Sequence, residues 1–255
     1  MDRAALDAAY NNSVAVANSA AIVEDWTRRT AALRSRFPGA LDLRYGSRER
    51  NRIDLFEAKP GAPLLAFIHG GYWQNRAKEN FGFLAEGPLA RGVSVAMIGY
   101  TLAPEERLTG IVQEIHAALS FLKDKAKDIY VSGWSAGGHL TAMAMSHPAV
   151  KGGLAISGIY DLEPMRLCYI NDKLRLDETE ARRNSPLLHP APSKPLRIAY
   201  GGAELPELQR QSEDYAKHIG RPAARLPGKD HFTILEALAS PEGELIRIVR
   251  TLMDG

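Results

Sequence analysis

The chain has 255 residues, 45% hydrophobic and 24% charged. This is the make-up of a globular protein with a sizeable core, not of a disordered, collagenous or coiled-coil chain. Lys and Arg number 32 against 30 Asp and Glu, giving a net charge of +2. The two signs are intermixed, so no field favours nucleic acid or an anionic membrane. The single cysteine, Cys168, excludes an intramolecular disulfide.

Residues 2 to 34 carry apolar positions at helical spacing, and "RFPG", Arg36 to Gly39, ends the pattern. Within this segment "SVAVANSAAIV", Ser13 to Val23, is mildly apolar. It follows an acidic start and is interrupted by asparagine and serine, so a signal peptide is not expected. No run reaches the length of a membrane span, and a cytoplasmic protein is the expectation. Next, "LDLRYG" and "RIDLFEA" alternate as an antiparallel hairpin would. The densest basic run, "RYGSRERNR" from Arg44 to Arg52, falls between them and reads as its solvated turn.

After "KPGAP" come six short apolar runs: "LLAFIHGG", "VSVAMIGY", "DIYVSG", "GLAISG", "LRIAYGG" and "AARLPG". Each ends in glycine or turn residues, as strands buried on both faces of a parallel sheet do. Helical patterns alternate with them at about Phe81 to Arg91, Leu108 to Asp124, Ala136 to Ser146, Glu207 to His218 and Phe232 to Leu252. Strand and helix in alternation predict a doubly wound α/β fold in a single domain. The interval Asp161 to Lys194 is too long for a simple connection. It reads as a small helical insertion over the top of the sheet. Cys168 lies in it, in "MRLCYIND", with nothing nearby to stabilise a thiolate, and reads as apolar filler.

The stretch "SGWSAGG", Ser132 to Gly138, sits where a strand pattern becomes a helix pattern. G-x-S-x-G in that context is a nucleophile elbow, in which Ser135 occupies a tight turn that bulky neighbours would obstruct. Upstream, "FIHGGYWQ" follows a buried strand and sets Gly70 and Gly71 where backbone amides can approach a ligand. With Ala136, the residue after the serine, they form a candidate oxyanion hole.

A serine hydroxyl needs a base, and the base an orienting acid. Of the seven histidines, His116, His139 and His218 fall within helical patterns and His147 precedes a proline at a helix end. His69 reads as a prop of the glycine loop. His231, in "GKDHF" after the last strand, has the late position that the order serine, acid, histidine requires. For the acid, Glu204 is the first carboxylate after "LRIAYGG". Glu207 competes from the start of the next helix, and Asp230 reads as a turn residue.

These motifs, together with "AAYNNS", "GYTLAPE", "SGIYDLEP", "ARRNSP" and "GGAELPELQRQS" in order, make the chain resemble the α/β-hydrolase arylformamidases. These are kynurenine formamidases of the serine-hydrolase type, related to hormone-sensitive-lipase-like esterases. The resemblance implies an α/β-hydrolase fold with Ser135 as nucleophile, Glu204 as acid and His231 as base. Gly70 and Gly71 fall in the family's oxyanion loop. Two departures stand out: Trp134 occupies a position where many relatives have histidine, and Glu204 one where aspartate is frequent. The implied reaction is hydrolysis of an aryl formamide such as N-formyl-L-kynurenine, with a place in tryptophan breakdown. No cofactor or metal is implied. The expected partner is a small acyl or formamide substrate, not nucleic acid or membrane, and a homodimer is compatible with the family. Aromatic walls for the leaving group would come from Tyr72, Trp73, Trp134 and Tyr160. A carboxylesterase or thioesterase would use the same residues with a different pocket, and a non-catalytic binding protein is the remaining alternative.

Overall fold

The computed structural model describes residues 1–37 and 40–254. Eight strands make one sheet: β1 (Leu43–Arg44), β2 (Arg52–Phe56), β3 (Leu64–Ile68), β4 (Ser94–Ile98), β5 (Ile129–Trp134), β6 (Val150–Ile156), β7 (Leu196–Gly201) and β8 (Ala224–Leu226). Their spatial order is β1-β2-β4-β3-β5-β6-β7-β8. β1 and β2 form the expected antiparallel hairpin, and β2 pairs antiparallel with β4. All remaining pairs are parallel.

The continuous apolar runs follow from burial on both faces. In β3, Leu64, Ala66 and Ile68 join one core, while Leu65 and Phe67 join the core on the opposite face. The first core includes the helices Leu108–Leu122, Ala136–Ala144 and Pro206–His218. The second includes Ser19–Arg34 and Glu244–Asp254.

Three expected helices are more broken than periodicity suggests. Residues 2 to 34 divide into Arg3–Ala9, Asn12–Ala15 and Ser19–Arg34. Asn11 causes one break, since its side chain accepts from the Val14 N–H at 3.3 Å and caps a new helix. Pro38 and Gly39, expected to end this segment, lie outside the described residues. The Phe81 to Arg91 pattern becomes one 3₁₀ turn, Gly82–Ala85, and the helix Glu86–Ala90. There Thr30 Oγ1 captures the Phe83 N–H at 3.0 Å. The final pattern divides into Thr233–Leu235, Glu236–Ala239 and Glu244–Asp254, because Pro241 holds Ser240 extended at ψ 132°.

The 161–194 stretch holds the short helices Glu163–Leu167, Asn171–Leu174 and Glu178–Arg183. It is tied down at several points. Glu180 pairs with Arg107 and accepts from the Thr109 N–H at 3.1 Å. Asn184 reaches Thr109 Oγ1 at 3.0 Å, and Arg3 pairs with Asp172 at 2.8 Å. Among the described residues no helix is long and apolar enough to cross a membrane.

Candidate active site

Parallel pairing of β3 with β5 sets Ile68 opposite Gly133, so "HGG" and "WSAGG" leave the sheet side by side at its carboxyl edge. Register along β5, β6, β7 and β8 brings Ser135, Ser157, Glu204 and His231 to the same edge.

Ser135 has φ 58° and ψ −119°, a region that costs a non-glycine residue about 1–3 kcal/mol and persists only where its surroundings enforce it. Its N–H is held by Ile156 O at 2.8 Å, and its carbonyl receives the His139 N–H at 3.1 Å. The flanking glycines answer a steric demand. A Cβ on Gly133 would come within 2.2 Å of Gly137 O, and one on Gly137 within 2.0 Å of Ile68 O. No side chain fits between the elbow helix and the sheet at those points.

His231 and Glu204 are both buried. His231 Nδ1 lies 3.3 Å from Glu204 Oε2. The other carboxylate oxygen, Oε1, accepts from Ser157 Oγ at 2.5 Å and from the Gly201 N–H at 2.6 Å. Three groups, from the ends of β6 and β7 and the loop after β8, thus fix one carboxylate. Both competitors are engaged elsewhere. Glu207 pairs with Arg210 at 2.8 Å, and Asp230 Oδ1 accepts the Phe232 and Thr233 N–H groups, each at 2.8 Å. No sequence signal pairs Ser157 with Glu204. Ser157 lies in "SGIYDLEP", and its φ of 50° marks a second strained turn at the next strand end.

Ser135 and His231 line one cavity of about 370 Å³, together with Asn12, Ser13, Gly71, Tyr72, Asn75, Arg76, Asn80, Trp134 and Phe232. The N–H groups of Gly71, Tyr72 and Ala136 have no acceptor among the described residues. Gly71 has φ 114°, and a Cβ there would lie 2.2 Å from Asn75 O. Gly70 sits outside the cavity lining, against Trp134, where a Cβ would meet ring atom Cε3 at 2.6 Å. Ala136 is fully buried behind Ser135.

Trp134 touches the cavity and also holds His231 in place. Its indole N–H donates to the His231 carbonyl at 2.7 Å, and its ring lies 4.7 Å from the imidazole. Tyr72 also lines the cavity. Its hydroxyl donates to Tyr10 O at 2.6 Å and accepts from Asn12 Nδ2 at 2.9 Å, clamping the N-terminal turn against the glycine loop. Trp73 and Tyr160, expected as pocket walls, are instead core residues with 0% exposure. Trp73 turns inward at φ 58° and donates its indole N–H to His139 Nδ1 at 3.2 Å. Tyr160 stacks on Tyr215 with 4.2 Å between centroids.

Two further histidines near the elbow are unsuited to proton transfer. His69 donates from Nδ1 to Gly70 O at 2.8 Å and stacks on Tyr100 at 4.2 Å. His139 passes its Nε2 hydrogen to Asn184 O at 2.7 Å. Burial pushes both imidazoles down to about 4, so they are neutral at pH 7. Cys168 is buried, and the same loss of hydration raises its thiol above the ordinary value. Among the described residues no group of three His, Cys, Asp or Glu is placed to hold a metal ion.

The BD-FAE family matches residues 54–154. Kynurenine formamidase of Danio rerio is 31% identical over 234 residues, covering 82% of this chain and 80% of its own. That of Salmo salar is 31% identical over 239 residues, covering 84% and 81%. Among solved structures, one from Silicibacter sp., described provisionally as a thioesterase, superposes with a TM-score of 0.90 at 30% identity. It covers 96% of this chain and 98% of its own. The Pyrobaculum calidifontis esterase, with a TM-score of 0.66 at 20% identity over 79% of this chain and 80% of its own, shares the fold.

Proposed function

The chain belongs to the kynurenine formamidase family and is a hydrolase of formamide or ester bonds. From that premise we propose that it is a serine hydrolase that cleaves an aryl formamide such as N-formyl-L-kynurenine. The observation that carries this reading is the buried His231–Glu204 pair, 3.3 Å apart, on the cavity where the strained elbow presents Ser135.

In the proposed cycle His231 removes the Ser135 proton as the hydroxyl oxygen attacks the formyl carbon. Glu204 holds Nδ1–H, so that Nε2 is the basic nitrogen, and stabilises the imidazolium that forms. Charge developing on the carbonyl oxygen is met by N–H groups of the glycine loop and of Ala136, which are otherwise unused. His231 then donates its proton to the aniline nitrogen, and the amine departs. Water, deprotonated by His231, attacks the formyl-enzyme and releases formate. The formyl group is small, so most of the cavity serves the leaving group. A cytoplasmic setting is part of this proposal, in keeping with a lone, buried cysteine.

A second reading, a small-molecule ester or thioester hydrolase, is favoured by the Silicibacter structure, which matches over nearly the whole chain. Steady-state kinetics on N-formyl-L-kynurenine and on a short-chain activated ester, with Ser135→Ala as control, separate the two. Formamide turnover with kcat/KM above about 10⁴ M⁻¹s⁻¹, lost in the variant, is the expected result. Rapid ester cleavage with negligible deformylation would transfer the triad to the second reading.

A further inference from the structure

Arg76 stands apart from the other cationic groups around the site. It lines the cavity that holds Ser135 and His231, and it is half-buried. Among the described residues its guanidinium has neither a hydrogen-bond acceptor nor a carboxylate within ion-pair distance. Its neighbours differ. Lys78 is buried among Asp42, Asp54 and Glu79 at 2.7–2.8 Å, and Arg34 is paired with Asp54 at 2.6 Å. Burial lowers the Arg76 pKa from its ordinary value, with no anion nearby to oppose the shift.

No acidic residue lines this cavity, and Arg76 is its only permanently charged lining group among the described residues. Asn75 and Asn80 beside it are neutral amides. The backbone holds the residue in place at some strain, with φ 74° and its carbonyl accepting from Arg50 Nη2 at 2.5 Å. An arginine that lines the cavity, with its guanidinium donors unused among the described residues, is a prepared site for a planar anion.

We propose that Arg76 is a specificity-determining residue that binds a carboxylate on the leaving-group portion of the substrate. The single uncompensated charge suits a monoanion, whereas a phosphate dianion would leave charge unbalanced in a partly dehydrated site. The assignment to the leaving group rests on the formamidase reading above, because a formyl group has no room for a charge. The substrate class is thereby narrowed to aryl formamides whose amine product carries a carboxylate. Neutral formanilides and neutral aryl esters would be poor substrates.

The test is a charge-preference ratio: kcat/KM for N-formyl-L-kynurenine divided by that for its carboxamide, which has the same shape without the charge. The same ratio is taken for the pair of aryl acetates in which an ester oxygen replaces the formamide nitrogen. It is thus defined even if the enzyme proves to be an esterase. In Arg76→Gln the ratio is expected to fall about 10- to 100-fold, the worth of a charge-assisted hydrogen bond or two. The change should lie mainly in KM, with partial recovery in Arg76→Lys. Affinities of the same pairs for Ser135→Ala, with and without Arg76→Gln, measured calorimetrically, give the ratio without turnover. A ratio unchanged within about threefold by Arg76→Gln overturns the proposal, even if activity on both members falls together, since a merely structural role would produce that result. Absence of formamide turnover with a ratio that still collapses on the acetates would reject the formamidase reading and leave the carboxylate site standing.

Discussion

The floor of the site and its rim are built on different principles. On the floor, Glu204 is fixed by Ser157, Gly201 and His231, and His231 is fixed in turn by Trp134. These groups come from the ends of neighbouring parallel strands, whose register the hydrogen-bond ladder sets. On the rim, Asn12 keeps a buried Oδ1 without a partner and the Arg76 guanidinium is unpaired among the described residues. The rim residues come from the N-terminal turn and the loop after β3, which only side chains hold together. A satisfied, rigid floor suits bond-breaking chemistry, and an unsatisfied rim suits recognition.

The sharpest way to break this contrast is on the floor. Glu204→Gln retains the shape but loses the charge that stabilises the imidazolium. It is expected to lower kcat by about 10²–10⁴-fold with little change in KM, as read by steady-state kinetics. An equal effect on KM would move Glu204 into substrate binding. Gly137→Ala places a methyl 2.0 Å from Ile68 O and should cost at least about 1–3 kcal/mol of stability, measurable by denaturant unfolding.

Acid should act on the buried imidazoles. His69 and His139 have folded values near 4 against about 6.5 when exposed. Between those values the unfolded chain binds more protons than the folded one. Stability from their burial is therefore complete above about pH 6.5 and is lost as pH falls towards 4, on the order of 3 kcal/mol for each. Urea unfolding across pH 7 to 4 checks this, and His139→Gln should flatten the dependence.

Trp134→Phe removes the donor to the His231 carbonyl while keeping most of the packing. About a tenfold loss in kcat is expected, with roughly 1 kcal/mol of stability. The smallest effect belongs to the rim. Tyr72→Phe loses its bonds to Tyr10 O and Asn12 and should raise KM a few-fold while leaving kcat near its original value. A large fall in kcat there would dissolve the distinction between floor and rim.

The same division explains what could be read from the sequence. Strand runs ending in glycine, the elbow and the late histidine are local patterns with local causes, and each lies where its pattern indicates. Asn12 and Ser13 approach the cavity only through folding back of the N-terminal turn, so nothing in "AAYNNS" alone discloses it. Trp73 is expected at a pocket because it adjoins the glycine loop, and Tyr160 because it adjoins the insertion. Adjacency in sequence does not say on which side of a tight turn a ring falls, and φ 58° sends Trp73 inward. Ser157 needed the pairing of β6 with β7 to meet Glu204. Breaks at Asn11 and Pro241 follow from capping and proline sterics, which a strong apolar periodicity obscured.

In the proposed cycle Ser135 carries the acyl group between the two halves of the reaction. Rapid acid quench of the enzyme during turnover of an aryl acetate, followed by peptide mass spectrometry, tests it most directly. One acetyl group is expected on the peptide containing Ser135, absent from Ser135→Ala, which should also have lost turnover. An acyl group on another residue, or full turnover by Ser135→Ala, would contradict it.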